Sequence, residues 1–187
     1  MTLGGGIPRG FEVHEGDLLF QSLPHCPLID AIEGMTESPF SHCGIVTRKD
    51  GGWHVIEAIG PVKETPLLDW IEQSRDGKFT AFRLKPKYEA KVPKLIAAAR
   101  TFLGRPYDIH YKFDDENIYC SELIYKAVEK GTGVKLGKIQ ELGDLKWKGY
   151  VGLILAIEGS IPLKREMITP RALTEAEEVK KVFPKEP

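Results

Sequence analysis

Apolar and polar positions along this chain switch repeatedly between a period of two and a period near 3.6, and the switches divide it into elements. Gly16-Asp17 reads as a turn, and Leu18-Leu19-Phe20-Gln21 as a short buried strand. Pro24 and Pro27 break that run, and residues 28–34 read as a short helix. Ser38-Pro39-Phe40-Ser41 is loop chemistry leading into a strand over 42–47. Lys49-Asp50-Gly51-Gly52 is a hairpin signal, which makes 53–59 the returning strand. Thr65-Pro66 reads as an N-cap with proline at the first helical position, followed by Leu67, Leu68 and Ile71 on one face. A further strand alternates over 79–84. The clearest amphipathic helix runs over 90–103 and closes at Gly104. Arg105-Pro106-Tyr107-Asp108 forms a turn after it.

Asp114, Asp115, Glu116 and Asn117 are good capping residues for a helix carrying Leu123, Ile124, Ala127 and Val128, with Gly131 as its stop. Beyond Gly133 come glycine-rich turns, a helix over 150–158, an extended segment to Ile168, and a short helix opened by Thr169-Pro170. The charged last residues read as solvated. Strands crowd the first half with helices around them, which predicts an α+β fold. The expected organisation is a flexible leader over 1–15 and a single domain over 16–187.

A hydrophobic fraction of 42% and a charged fraction of 28% belong to an ordinary globular domain. Net charge is −1 with no basic block, which argues against a nucleic-acid partner. The longest apolar run, Val151 to Ile157, is too short for a transmembrane segment and is followed by Glu158. Met1 to Gly6 lacks the charged and apolar regions of a signal peptide. Three cysteines leave at least one free thiol, whether or not Cys26 and Cys43 pair. The pattern says nothing about oligomeric state.

Tyr119-Cys120-Ser121-Glu122 puts a cysteine where loop becomes helix. Unsatisfied N–H groups of a first helical turn favour the thiolate over the thiol, so this is a place for a nucleophile; a small cysteine packed beneath the helix is the plain alternative. A catalytic thiol needs a base and a group that orients the base. Of five histidines, His42 stands apart at the mouth of a strand, bordered by a loop and followed by Gly44, which leaves room for close approach. Glu57 is a carboxylate inside an apolar strand, costly unless partnered. A hairpin register opposing Glu57 to Gly44 makes His42 and Glu57 diagonal neighbours about 7–8 Å apart on one face. A register one residue away separates them. Otherwise Glu57 faces outward or pairs with Lys63.

The dipeptides His25-Cys26 and His42-Cys43 raise a metal site, but adjacent strand residues point to opposite faces, and neither Cys-x-x-Cys nor His-Glu-x-x-His occurs. No metal or cofactor is expected. Gly4-Gly5-Gly6 follows no strand and opens no helix, so it is not a phosphate cradle.

The order of these residues, histidine and acid early and cysteine late, resembles the circularly permuted branch of the NlpC-type papain-like cysteine peptidases and amidases, the YiiX/YebB-like group. The resemblance runs from Gly16 to about Pro184. It rests on Gly16-Asp17-Leu18-Leu19-Phe20, Ser41-His42-Cys43-Gly44, Glu57-Ala58-Ile59-Gly60-Pro61-Val62-Lys63, Gly104-Arg105-Pro106-Tyr107-Asp108, Tyr119-Cys120-Ser121-Glu122 and Ile168-Thr169-Pro170. It implies a permuted papain-like fold, with a small antiparallel, barrel-like sheet packed against the Cys120 helix. It implies Cys120 as nucleophile, His42 as general base and then acid, and Glu57 as orienting acid. Tyr107, Tyr119, Ser41 and Ser121 are candidates for the substrate cleft, although core packing suits both tyrosines equally. It also implies an exported cell-envelope or periplasmic mature form.

The function expected is therefore a thiol hydrolase that cleaves an amide through an acyl-enzyme. A non-catalytic binding module of the same fold, and an acyltransferase or thioesterase using the same thiol, are the alternatives. Substrate candidates are a small peptide, an amino-acid amide and an acyl-lipid.

Overall fold

Six strands form one antiparallel sheet in the order β4-β3-β2-β1-β5-β8. The computed structural model describes residues 6–184. In chain order the elements of the sheet are β1 (Leu18–Gln21), β2 (His42–Lys49), β3 (Gly52–Ala58), β4 (Val62–Pro66), β5 (Phe79–Leu84) and β8 (Val179–Phe183). Between and after them come α1 (Pro27–Thr36), α2 (Leu67–Glu72), α3 (Val92–Arg100), α4 (Cys120–Thr132), α5 (Val151–Glu158) and α6 (Pro170–Thr174). A separate two-stranded ribbon pairs β6 (Gln140–Glu141) with β7 (Glu166–Met167).

The period of two sends side chains of one strand to two different cores. Leu18, Phe20, Cys43, Ile45 and Ile56 face α3 and α4, where they meet Leu95, Ala99, Leu123, Ile124 and Ala127. Leu19, Val46, Val55 and Ala81 face the other way and pack on Leu67, Trp70 and Ile71 of α2. Phe11 belongs to this second core, with its ring 5.2 Å from that of Phe79. The Glu15 carboxylate accepts bonds from Thr47 and from the Arg48 amide. Packing thus begins upstream of Gly16; residues 1–5 of the expected leader lie outside the described residues.

Four local expectations need correction. Thr65 does not cap a helix: it lies within β4, and Pro66 is the last residue of that edge strand, where a missing N–H costs no ladder bond. The residues Asp114 to Asn117 stay in the loop, and α4 starts at Cys120, with the Glu122 carboxylate accepting from the Tyr119 amide. Gly131 does not stop α4. A Cβ there would lie 2.4 Å from Leu95 Cα, so it allows α3 and α4 to touch, and Gly133, at φ 77°, is the left-handed cap. The charged C-terminal stretch is not all solvated coil, because Val179–Phe183 forms an edge strand with Lys180 and Lys181 exposed. Lysines on an edge discourage further pairing and disguise a strand as tail.

Candidate active site

The β2–β3 hairpin pairs Gly44 with Glu57. This register puts His42 and Glu57 on one face, and the side chains meet, with His42 Nε2 2.6 Å from Glu57 Oε2. Gly44 serves the hairpin itself: a Cβ there would come 2.4 Å from Val55 Cγ1 and 2.9 Å from the Ile56 carbonyl oxygen. Glu57 is wholly buried and fully engaged, its other oxygen accepting from Thr65 Oγ1 at 2.5 Å and from Gln73 Nε2 at 3.4 Å. Lys63 is its backbone partner across β4 but takes no part in these bonds. The Trp70 ring covers His42, centroid to centroid 6.1 Å.

Helix α4 brings Cys120 to the mouth of β2. Its Sγ lies 4.0 Å from the Ser41 carbonyl oxygen, and its thiol is a hydrogen-bond partner of His42. With Nε2 held by Glu57, Nδ1 is the nitrogen left for sulfur. Cys120 occupies the first helical position, so its own N–H has no acceptor within the helix. The thiol of Cys43 is a second partner of Cys120. All three cysteines are free, so Cys26, which is exposed, and Cys43, which is buried, do not pair.

These contacts set the charge states. The Cys120 thiol is held well below its ordinary range by the Cys43 thiol, which with His42 outweighs the opposing effect of burial. Burial pushes the imidazole down, but its bonds to Cys120 and Glu57 prevail and raise His42 to about 9. Burial likewise pushes the Glu57 carboxyl up, and His42, Thr65 and Gln73 pull it below the usual range. Burial and Cys120 both keep Cys43 protonated, as a donor. These shifts favour a thiolate on Cys120 beside an imidazolium on His42.

The Cys120 side chain opens on a cavity of about 90 Å³ whose lining is almost wholly apolar. Leu28, Ile32, Met35, Leu153, Ile157 and Met167 form much of it, drawn from α1, α5 and the β7 ribbon. Its two charged residues, Glu158 and Arg165, neutralise one another at 2.5 Å. Ser41, Tyr119 and Ser121 line this cavity, but their hydroxyls are already committed to the Leu23 amide, the Ile168 amide and the Ile168 carbonyl. Tyr107 does not line it. Its hydroxyl lies 3.2 Å from that of Tyr111, and Tyr111 takes the place in the wall.

Sequence reasoning missed Cys43, Thr65, Trp70, Gln73 and Tyr111 as members of this site. Only Cys43 carried a signal, through its adjacency to His42; the others arrive from α2, β4 and a loop. Among the described residues no three His, Cys, Asp or Glu side chains gather as a metal-binding group.

An antiparallel sheet carrying histidine and acid early, and a later helix that opens on cysteine, define a permuted papain-like cysteine hydrolase. The chain belongs to the family described as "Permuted papain-like amidase enzyme, YaeF/YiiX, C92 family", whose model matches residues 12–183. It is 31% identical over 170 residues to the Escherichia coli (strain K12) protein described as "Uncharacterized protein YiiX", covering 89% of this chain and 84% of that protein. It also superposes on the crystal structure described as metalloprotein yiiX from Escherichia coli O157:H7. That match has a TM-score of 0.88 at 30% identity and covers 95% of this chain and all of the other. No step below involves a metal.

Proposed function

We propose that this protein is a thiol hydrolase that cleaves an amide, ester or thioester whose acyl part is apolar. The observation that carries this reading is the opening of an activated cysteine onto a cavity lined almost wholly by apolar side chains. Burying an apolar acyl chain contributes about 0.8 kcal/mol per methylene. A charged peptide would instead leave its polar groups unpartnered against Leu, Ile and Met side chains.

In this mechanism the Cys120 thiolate attacks the substrate carbonyl. The Cys120 amide at the start of α4 donates to the oxyanion. His42, as imidazolium, protonates the leaving amine or alcohol, and the acyl group stays on sulfur. His42 then takes a proton from water, the water oxygen adds to the acyl carbon, and the C–S bond breaks with its electron pair returning to Sγ. Glu57 holds the ring orientation and stabilises its charge throughout. The test is intact-mass detection of an acyl adduct with p-nitrophenyl octanoate, mapped to Cys120 and absent from Cys120→Ala. Labelling by a peptide amide probe but not by the octanoate ester would overturn the acyl reading.

A further inference from the structure

His42 lies on the strand between two neighbours, and only one of them is used by the mechanism above. From β3 comes Glu57. From β1 comes Gln21, which the register sets directly opposite His42, so both side chains leave the sheet on the same face. Gln21 is 1% exposed, yet neither its amide nitrogen nor its amide oxygen has a hydrogen-bond partner. A buried amide left unpaired on both atoms is rare in a folded chain and asks for a polar guest. The same wall holds two more such atoms. Trp70 Nε1 is buried and unpartnered on the ring that covers His42, and Gln73 Oε1 is unpartnered on the amide that donates to Glu57. Gln21 and Trp70 share two neighbours, His42 and Phe79. Both donors and acceptors are present, which suits water better than an anion or a cation. The backbone links the place to the nucleophile: Gln21 O accepts from the Ser41 amide, and the Ser41 carbonyl oxygen lies 4.0 Å from Cys120 Sγ.

We propose that Gln21 holds the water that releases the acyl group from Cys120. Its amide orients that water against His42, which takes the proton as the water oxygen bonds to the acyl carbon and the C–S bond breaks. The assignment rests on the thiol-hydrolase reading and concerns its second half alone. Acylation needs no water and leaves Gln21 idle, which gives the claim a signature that a merely structural role lacks.

The experiment follows Gln21→Leu and the isosteric Gln21→Glu with p-nitrophenyl octanoate, reading nitrophenolate release and intact mass together. For Gln21→Leu, acylation within about twofold of the parent is expected, with decay of the acyl-enzyme slowed about tenfold, the order expected for one lost hydrogen bond to the attacking water. The octanoyl adduct then accumulates. Gln21→Glu, which retains an acceptor, decays at an intermediate rate, and carries the test alone if the leucine variant does not fold. Equal slowing of acylation and deacylation, or no change in either, overturns the assignment to Gln21. A parent protein that neither turns over nor forms an adduct overturns the thiol-hydrolase reading as well, so the two failures are distinguishable.

Discussion

His42 Nε2 and Glu57 Oε2 stand 2.6 Å apart with both side chains out of reach of solvent. A buried charge pair of this kind is held by its geometry, and removing one member leaves the other uncompensated. Glu57→Gln keeps the shape and loses the charge that holds His42 near 9. It is expected to lower kcat/KM by about 10- to 100-fold. His42→Ala removes the proton carrier and should cost more than Glu57→Gln. Steady-state kinetics on the ester substrate rank the two.

The thiolate–imidazolium pair has a pH window. Cys120 is lowered and His42 raised to about 9, so the reactive form exists above the lowered thiol value and is lost as pH rises through about 9. Folding is linked to both groups, with opposite signs. A histidine whose folded pKa exceeds its unfolded value stabilises fully below about 6.5, and that contribution disappears as pH rises through the folded value. The rate of acylation should therefore fall on the alkaline side near 9, whereas the opposing linkages of His42 and Cys120 offset one another in the melting temperature. A flat profile from 7 to 10 would count against the pair.

Iodoacetamide at about pH 6, where a free cysteine is almost wholly thiol, should modify Cys120 faster than the exposed Cys26, despite the greater accessibility of Cys26. Peptide mapping over time measures this. Cys120→Ala should abolish turnover and leave the circular dichroism spectrum and melting curve close to the parent. Faster labelling of Cys26 than of Cys120 would contradict the activated thiol.

Gly44→Ala should be costly although alanine is small. Its Cβ would meet Val55 Cγ1 at 2.4 Å and the Ile56 carbonyl at 2.9 Å, and the backbone atom has little freedom to retreat. Overpacking of this kind costs about 1–3 kcal/mol, and here it also pushes apart the strands that carry His42 and Glu57. Urea denaturation measures the first effect, and the His42-dependent pH profile the second.

Ile157 lines the apolar cavity and is partly exposed, so a larger ring can be added there without disturbing the sheet. Ile157→Trp should reduce kcat/KM for the octanoyl ester at least about tenfold more than for the acetyl ester, since each methylene excluded costs about 0.8 kcal/mol. Parallel losses on both esters would place the acyl chain elsewhere.

What local pattern carried was legible from the chain alone: most strands and helices, the β2–β3 hairpin though not its register, and the nomination of Cys120, His42 and Glu57. These depend on residues near in sequence or on a hairpin that alternation constrains. The edge strands β4 and β8 were hidden because charged and proline-bearing edges look like loops or tails. Tertiary structure alone decided that α4 ends its approach at the mouth of β2, that Cys43 and Trp70 join the site, and that Thr65 and Gln73 hold Glu57. It alone closed α1, α5 and the β7 ribbon around an apolar cavity beside the thiol. Those contacts join residues far apart in the chain, and the free energy that selects them is burial, which is non-directional and leaves no period to read.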